Sequence, residues 1–521
     1  MRRKLPIGIQ TFSKIRGDSY YYVDKTHFVS QLAESGSYYF LSRPRRFGKS
    51  LFLDTLKEAF SGNRPLFQGL YLEHNWNWEI QHPVIHLTFA DGRFQSEAQL
   101  EHHIHVELER NAASLKVALS ERSEGIHVRF RELIQTAAAA YSGKGVVVLV
   151  DEYDKPILDN LTAPEIARTM RDGLRNLYSV IKGQDAYLRF IFLTGVSKFS
   201  KVSIFSGLNN LSDLTLDGRY ATICGYTDQD IDRVFWPELE GFDRAEIRRW
   251  YNGYRWLGEP VYNPFDVLLL FDKREFRSWW FETGSPTFLV DWLKARRFFS
   301  PRLEWLTADE ALLSAFDVEA IELEAMLWQT GYVTIVESMT TPLGDRLYRL
   351  RVPNREVRAA LNRALACGWG VPPEIQVQSG LQLLPMFRDA DVMGMRSHFE
   401  ALFASIPHDW IRNNPIARYE GYFASVFYSH LAALGLDITA EDVSNQGRCD
   451  LAVRFGNRVF LFEFKIVDGE NATGEALRQL KSRDYAAKYR NGQNEIIQIG
   501  IEFSRSLRQI VGWQVEAQPA G

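Results

Sequence analysis

The sequence predicts an α/β protein: a parallel-sheet domain first, a helical middle, and a smaller second α/β domain at the C-terminal end. Three observations predict it. In the first half, continuous apolar runs alternate with long stretches of helical periodicity. From about Tyr226 the pattern turns helical. From about Ala390 a helix-rich segment leads into a second set of β-type runs. Continuous apolar strands separated by helices indicate a parallel sheet covered on both faces. The chain has 521 residues, and chains of this length usually hold roughly three to four domains.

Composition narrows the function classes. Hydrophobic residues make up 45% and charged residues 24%, ordinary globular usage and not that of a disordered chain. The net charge of −4 excludes a strongly basic nucleic-acid-coating protein, although local basic patches remain open. Cys224, Cys367 and Cys449 lie far apart, which excludes a disulfide framework or a cysteine-rich zinc module. The reducing cytoplasm is therefore the expected compartment. No apolar run approaches the ~18 residues of a membrane span, so no membrane partner is expected. The start, MRRKLPIGIQTF, is basic but lacks the apolar run of a secretory signal. Residues 1–60 carry 11 Lys or Arg against 5 Asp or Glu, which favours an anionic ligand near the N-terminus.

Taken in order, the runs at 37–42, 83–89, 145–150 and 188–194 read as buried strands. The stretches 49–60, 98–119 and 164–181 read as helices. After Tyr226 come TDQDIDRVF, the aromatic WYNGYRW, and LEAMLWQTGYVTIV. The last is a helix, a turn at Gly331 and a strand, with a second strand expected at DRLYRLRVP. That pattern resembles a small winged-helix or lid module. Pro372 and Pro373 mark 368–380 as a candidate linker. The expected boundaries are 1–225, 226–367, a linker with a helical segment over 368–405, and 406–521.

Two clusters carry chemistry. The first is Arg43-Pro44-Arg45-Arg46-Phe47-Gly48-Lys49-Ser50, placed between a strand and a helix. There, backbone N–H groups and the helix dipole hold phosphate. Gly48 lets the backbone come close, Lys49 reaches the β/γ-phosphates, and Ser50 offers a hydroxyl to Mg²⁺. The first glycine of G-x-x-x-x-G-K-[ST] is replaced by Arg43. The strand VVVLVDEYD then delivers Asp151, suited to Mg²⁺, and Glu152, suited to polarise water, at the sheet edge where ligands bind. Thr194, ending a third strand just before Ser197 and Lys198, is a candidate γ-phosphate sensor.

Residues ~5–270 resemble the AAA-ATPase-like domain of bacterial and archaeal proteins that pair it with a C-terminal nuclease-like domain. The blocks carrying the resemblance include Pro6-Ile7-Gly8-Ile9-Gln10, Tyr22-Val23-Asp24-Lys25-Thr26, Asp151–Asp154, Gly195–Lys198 and Trp250–Tyr254. The resemblance implies a P-loop NTPase-like sheet and ATP binding by Arg46, Gly48, Lys49 and Ser50, with Asp151 and Glu152 as the acidic pair. It also implies that the Arg-Pro-Arg-Arg lead-in is usual for this group.

The second cluster lies across a hairpin. Gly447–Phe455 and 458–465 are β-type runs separated by Gly456-Asn457. If Phe455 faces Arg458, Asp450 faces Glu463, and Lys465 shares the face of Glu463. Phe460, Phe462 and Phe464 take the other face. Like charges opposite each other on a sheet repel, and a divalent cation would turn that repulsion into a binding site. The arrangement resembles the PD-(D/E)XK nuclease superfamily, with its restriction-endonuclease-like α/β fold. Asp450 stands as the D, and Glu463-Phe464-Lys465 as the ExK. The resemblance implies a further metal-binding acid, Glu420, and a catalytic Gln479 beside Lys465. It leaves Tyr485 without a role. His102, His103 and His105 complete no metal site and read as a surface helix.

These readings combine into nucleotide-controlled, Mg²⁺- or Mn²⁺-dependent DNA cleavage, with ATP and DNA as partners, homo-oligomerisation left open, and a defence or mobile-element role suggested by the resemblance. The alternatives are a non-cleaving nucleotide-dependent switch and a DNA-binding remodeller.

Overall fold

The structure is a computed structural model and describes residues 2–121, 125–198, 210–281, 287–314, 321–406, 421–444, 447–490 and 494–519. The chain forms two compact units. One comprises 1–280 and 307–353, the other 281–306 and 354–521.

The first unit is built on a five-stranded sheet. Its strands are β1 (Tyr38–Ser42), β2 (Val84–Thr88), β3 (Val146–Asp151), β4 (Leu188–Gly195) and the two-residue β5 (Ser212–Asp213), in the order β2-β3-β4-β1-β5. Every pairing is parallel. β3 is buried along its whole length, as an unbroken VVVLV run requires. Helix α1 (Lys49–Phe60) packs on the sheet, where its Phe60 and Phe52 meet Phe190 and Phe192, alternate residues of β4. Helices α2 (Glu97–Leu115), α3 (Ile126–Ala140) and α4 (Pro164–Lys182) pack on one another. α4 buries Ala167, Met170, Leu174, Leu177 and Ile181 at steps of three and four, the spacing of one helix face. On α2, His103 bonds the Thr88 carbonyl at 2.8 Å and His105 meets Arg129 at 2.9 Å.

Because β4 lies between β1 and β3, the C-terminal ends of all three come out along one edge. Ser42, Asp151 and Gly195 end there together. Short helices follow: α5 (Asp228–Val234), opened by a Thr227–Asp230 capping box, α6 (Arg244–Tyr251) and α7 (Pro264–Lys273). A small sheet, ordered β6-β8-β7, completes the unit with β6 (Leu306–Asp309), β7 (Thr334–Thr340) and β8 (Arg346–Arg351). α8 (Leu323–Gln329) precedes its β7–β8 hairpin, as the pattern around Gly331 predicts.

The second unit carries α9 (Arg355–Gly368), α10 (Pro373–Asp389), α11 (Val392–Ala404) and α12 (Tyr422–Ala433). The stretch read as a candidate linker is helical from Pro373 onward. Proline suits the first turn of a helix, where its missing N–H leaves no bond unmade. The sheet follows the order β13-β12-β11-β10-β9, with β9 (Asp437–Ser444), β10 (Gly447–Phe455), β11 (Arg458–Val467), β12 (Glu495–Ser504) and β13 (Ile510–Gln518). Only β11 and β12 run parallel. Phe462 and Phe464 pack on Phe427 of α12, and Phe460 packs on Phe387 of α10. α13 (Glu475–Ser482) lies against β11 and β12.

Candidate functional sites

The cradle begins where β1 ends. Gly48 takes φ +93°, a left-handed conformation that suits glycine, and caps α1. Lys49 is buried, and its Nζ donates to the carbonyls of Arg43 (2.9 Å) and Pro44 (3.0 Å). Burial pushes its ammonium down, while Asp151 and Glu152 pull the other way. Ser50 stands beside Asp151 and favours its charged form. Burial raises Asp151, opposed by Ser50 and Lys49. Glu152 is raised by burial and then by Asp151. Its backbone sits at φ +50°, unusual for a non-glycine residue, and its N–H donates to Asp151 Oδ1 at 3.0 Å. Lys49, Ser50, Asp151 and Glu152 are thus brought together.

Other expected members stand apart. The Thr194 hydroxyl donates to the Leu41 carbonyl at 2.9 Å and the residue is fully enclosed in the sheet. Arg46, at φ +70°, lays its guanidinium over the Phe265 ring at 4.6 Å.

Arg43 has a structural task. Fully buried, it donates to the carbonyls of Ser42, Thr215 and Tyr220 at 2.8, 3.1 and 3.2 Å. Its guanidinium lies 4.2 Å from the Trp256 ring centroid. Trp256 and Tyr254 also pack edge-on against Phe47. The aromatic segment 254–256 therefore packs against the loop that holds Arg43 and Phe47. Asp154, to which the sequence assigns no role, accepts from Val196 N, Ser197 N and Ser197 Oγ at 3.0, 2.5 and 2.6 Å, holding the loop after β4. The third acid of DEYD was the available signal.

In the second unit, β10 and β11 pair in the register that sets Phe455 opposite Arg458. Asp450 and Glu463 come together across the hairpin. The Asp450 N–H donates to Glu463 Oε2 at 3.4 Å, and the Phe464 N–H donates to Asp450 Oδ2 at 2.8 Å. Lys465 Nζ stands 3.4 Å from Glu463 Oε1, and the Gln479 amide donates to the same oxygen. Glu463 is 1% exposed. Burial first, then the Asp450 charge, raises its carboxyl to about 7. A carboxylate so reluctant to ionise beside a second carboxylate fits a divalent cation, which would offset both charges. Among the described residues no cluster of three metal-binding side chains occurs. Glu420 lies outside the described residues. Tyr485 is buried in the core beside Leu480 and Ala486.

The comparisons follow this division. The family described as Predicted AAA-ATPase matches residues 6–205, and the PD-(D/E)XK nuclease superfamily matches 418–513. The "Uncharacterized protein in vnfD 5'region" of Azotobacter chroococcum mcd 1 is 58% identical over 517 residues, covering 99% of each chain. The chain belongs to the predicted AAA-ATPases with a C-terminal PD-(D/E)XK nuclease superfamily domain. No solved structure matches it.

Sequence reasoning missed what seats Gln479 in this PD-(D/E)XK domain. Gly500 of β12 has no side chain where α13 crosses. A Cβ there would lie 2.3 Å from the Leu477 backbone nitrogen. Two residues on, buried Glu502 takes the N-terminal donors of α13. It accepts from the Thr473 backbone, the Thr473 hydroxyl at 2.9 Å, Glu475 N at 2.6 Å and Ala476 N at 3.3 Å. Burial opposes its charge, but these donors prevail and hold the carboxyl below its usual range. Among the described residues, no helix of this predicted AAA-ATPase is long and apolar enough to cross a membrane.

Proposed function

We propose that the chain is a nucleotide-controlled, Mg²⁺-dependent nuclease acting on DNA. The observation that carries this reading is the convergence of Asp450, Lys465 and Gln479 on a buried Glu463. Asp450 and Glu463 would hold the cation, with Glu420 as a third acid. A bound divalent cation would supply a water nucleophile of lowered pKa and charge compensation at the phosphodiester. Lys465 orients that water or offsets charge developing on the phosphate. Gln479 fixes the rotamer of Glu463.

At the first site, Lys49 would grip the β/γ-phosphates of ATP, Ser50 and Asp151 would hold its Mg²⁺, and Glu152 would polarise water. Arg46 and Thr194 would serve the nucleotide only by leaving Phe265 and the Leu41 carbonyl. ATP controls cleavage in this reading by binding one arrangement of the chain better than another. The proposed domains are 1–225 and 406–521, with a helical middle over 226–367 and a helical connection over 368–405.

Plasmid nicking with Mg²⁺ or Mn²⁺ tests the second site. Cleavage by the parent and its loss in Glu463→Ala and Lys465→Ala is the expected result. Equal activity in all three removes the assignment. For the first site, Lys49→Ala is expected to lose ATP affinity. One observation favours a non-cleaving switch or remodeller as the second reading. Residues 406–521 carry 13 Lys or Arg against 14 Asp or Glu, a weak base for neutralising phosphates. DNA-stimulated ATP hydrolysis without cleavage would select it.

A further inference from the structure

We propose that the outer face of α10 is a homodimer interface whose occupant is a second copy of this chain. α10 buries Gln376, Ser379, Leu383 and Phe387 on its inner side. Its outer side exposes Val377 (74%), Leu381 (79%) and Leu384 (38%). Glu374 and Arg388, both exposed, stand in the same row. Positions 374, 377, 381, 384 and 388 alternate steps of three and four, the spacing that keeps side chains in one line along a helix. Contiguous apolar surface of this kind on a folded chain marks an interaction site.

The charges select the partner. Between 374 and 388 no other charged residue occurs. Glu374 lies seven residues before Leu381, and Arg388 seven after it. A second copy related by a two-fold axis at Leu381 runs antiparallel. It sets Leu381 on Leu381, Val377 on Pro385, and Glu374 on Arg388 at both ends. A parallel pairing would set like charge on like charge. The row is therefore complementary to itself, as an isologous interface requires. Arg388 meets its neighbour Asp389 at 2.9 Å, and such exposed pairs exchange at little cost. One helix row offers less than the roughly 800 Å² per partner of a standard interface, so a weak, concentration-dependent dimer is expected.

Sedimentation velocity of the full chain, from sub-micromolar to high-micromolar concentration, tests the proposal. The parent is expected to move from monomer to dimer, and Leu381→Arg, which sets two cations on the axis, to stay monomeric. Glu374→Arg and Arg388→Glu are each expected to weaken dimerisation about ten-fold, and the double variant to recover it, since the reversed charges pair again. All these positions are exposed, so far-UV circular dichroism should match the parent throughout. A parent monomeric at every concentration overturns the proposal. So does a Leu381→Arg variant that still dimerises, or a double charge reversal that fails to recover.

Discussion

Glu463 and Lys465 place a carboxylate and an ammonium 3.4 Å apart on one face of β11, with the carboxylate buried and the ammonium partly exposed. The ion pair does not win. Burial and Asp450 still raise the Glu463 carboxyl from 4.5 to about 7. The folded state therefore holds this proton more tightly than the unfolded chain does. The resulting stability is fully present below pH 4.5 and lost as pH rises through about 7. In chelator, Glu463→Gln is expected to unfold like the parent at pH 4 and to be more stable at pH 8, by on the order of 3 kcal/mol. Mn²⁺ at pH 8 should stabilise the parent and not the variant. Denaturant melts at the two pH values check both. A variant no more stable than the parent at pH 8 would show that Glu463 ionises freely.

Glu502 and Gly500 act on the same site through α13. Glu502→Gln keeps the shape, but its amide has one accepting oxygen in place of two, so its NH2 group must face either the Thr473 N–H or the N–H groups of Glu475 and Ala476, and the charge is lost. Loss of a buried, charge-assisted cap costs roughly 1–3 kcal/mol. If the cap serves to seat Gln479, then Glu502→Gln and Gln479→Ala should lower Mn²⁺ affinity by similar factors, and the double variant should lower it little further. Additive losses would mean that Glu502 merely stabilises the fold. Gly500→Ala pushes on helix backbone, not on a movable side chain, and is expected to have the same phenotype.

The second site was legible because two local rules fix its geometry. A two-residue Gly456-Asn457 turn sets the hairpin register, and period-two alternation then assigns Asp450, Glu463 and Lys465 to one face. The strands of the parallel sheet were equally plain, since burial on both faces leaves an apolar run such as VVVLV. What stayed hidden depends on chain-distant partners. Arg43 reads as a lost glycine until the carbonyls of Thr215 and Tyr220 close around it. Glu502 looks like one more strand residue until α13 aims its N-terminus at it. β5 has two residues, too few for any periodicity. Pro372-Pro373 is ambiguous in kind, because the same residues that interrupt a helix also begin one.

Arg43 gives a counterintuitive expectation. Arg43→Gly restores the first glycine of the phosphate-loop pattern, yet it empties a cage of three carbonyls and removes the ring contact with Trp256. Unpartnered buried carbonyls cost roughly 1–3 kcal/mol each, so thermal stability is expected to fall and ATP affinity not to improve. Lys49→Ala frees the carbonyls of Arg43 and Pro44 in the same way, so its stability is also expected to fall, but here ATP affinity itself falls at least about ten-fold, some 1.4 kcal/mol. Thermal melts with and without ATP separate the two. An Arg43→Gly variant as stable as the parent would remove the anchoring role.

Gly253 precedes the aromatic segment packed on that loop. It adopts φ +119°, a region in effect closed to other residues, and a Cβ there would lie 2.1 Å from the Pro353 carbonyl oxygen. Neither backbone can give way cheaply, since the next residues, Tyr254 and Trp256, are pressed against Phe47 and the Arg255 N–H donates to Thr334 Oγ1 at 2.7 Å. Gly253→Ala is expected to cost on the order of 2 kcal/mol or more in stability. It should also weaken ATP binding, because the displaced aromatic pair no longer supports the phosphate loop. Gly344→Ala is the matched control: it is also left-handed, at φ +92°, but has nothing within 4 Å of its Cβ. It should pay only the backbone strain and bind ATP like the parent. Equal ATP affinities in the two variants would separate the aromatic segment from the cradle.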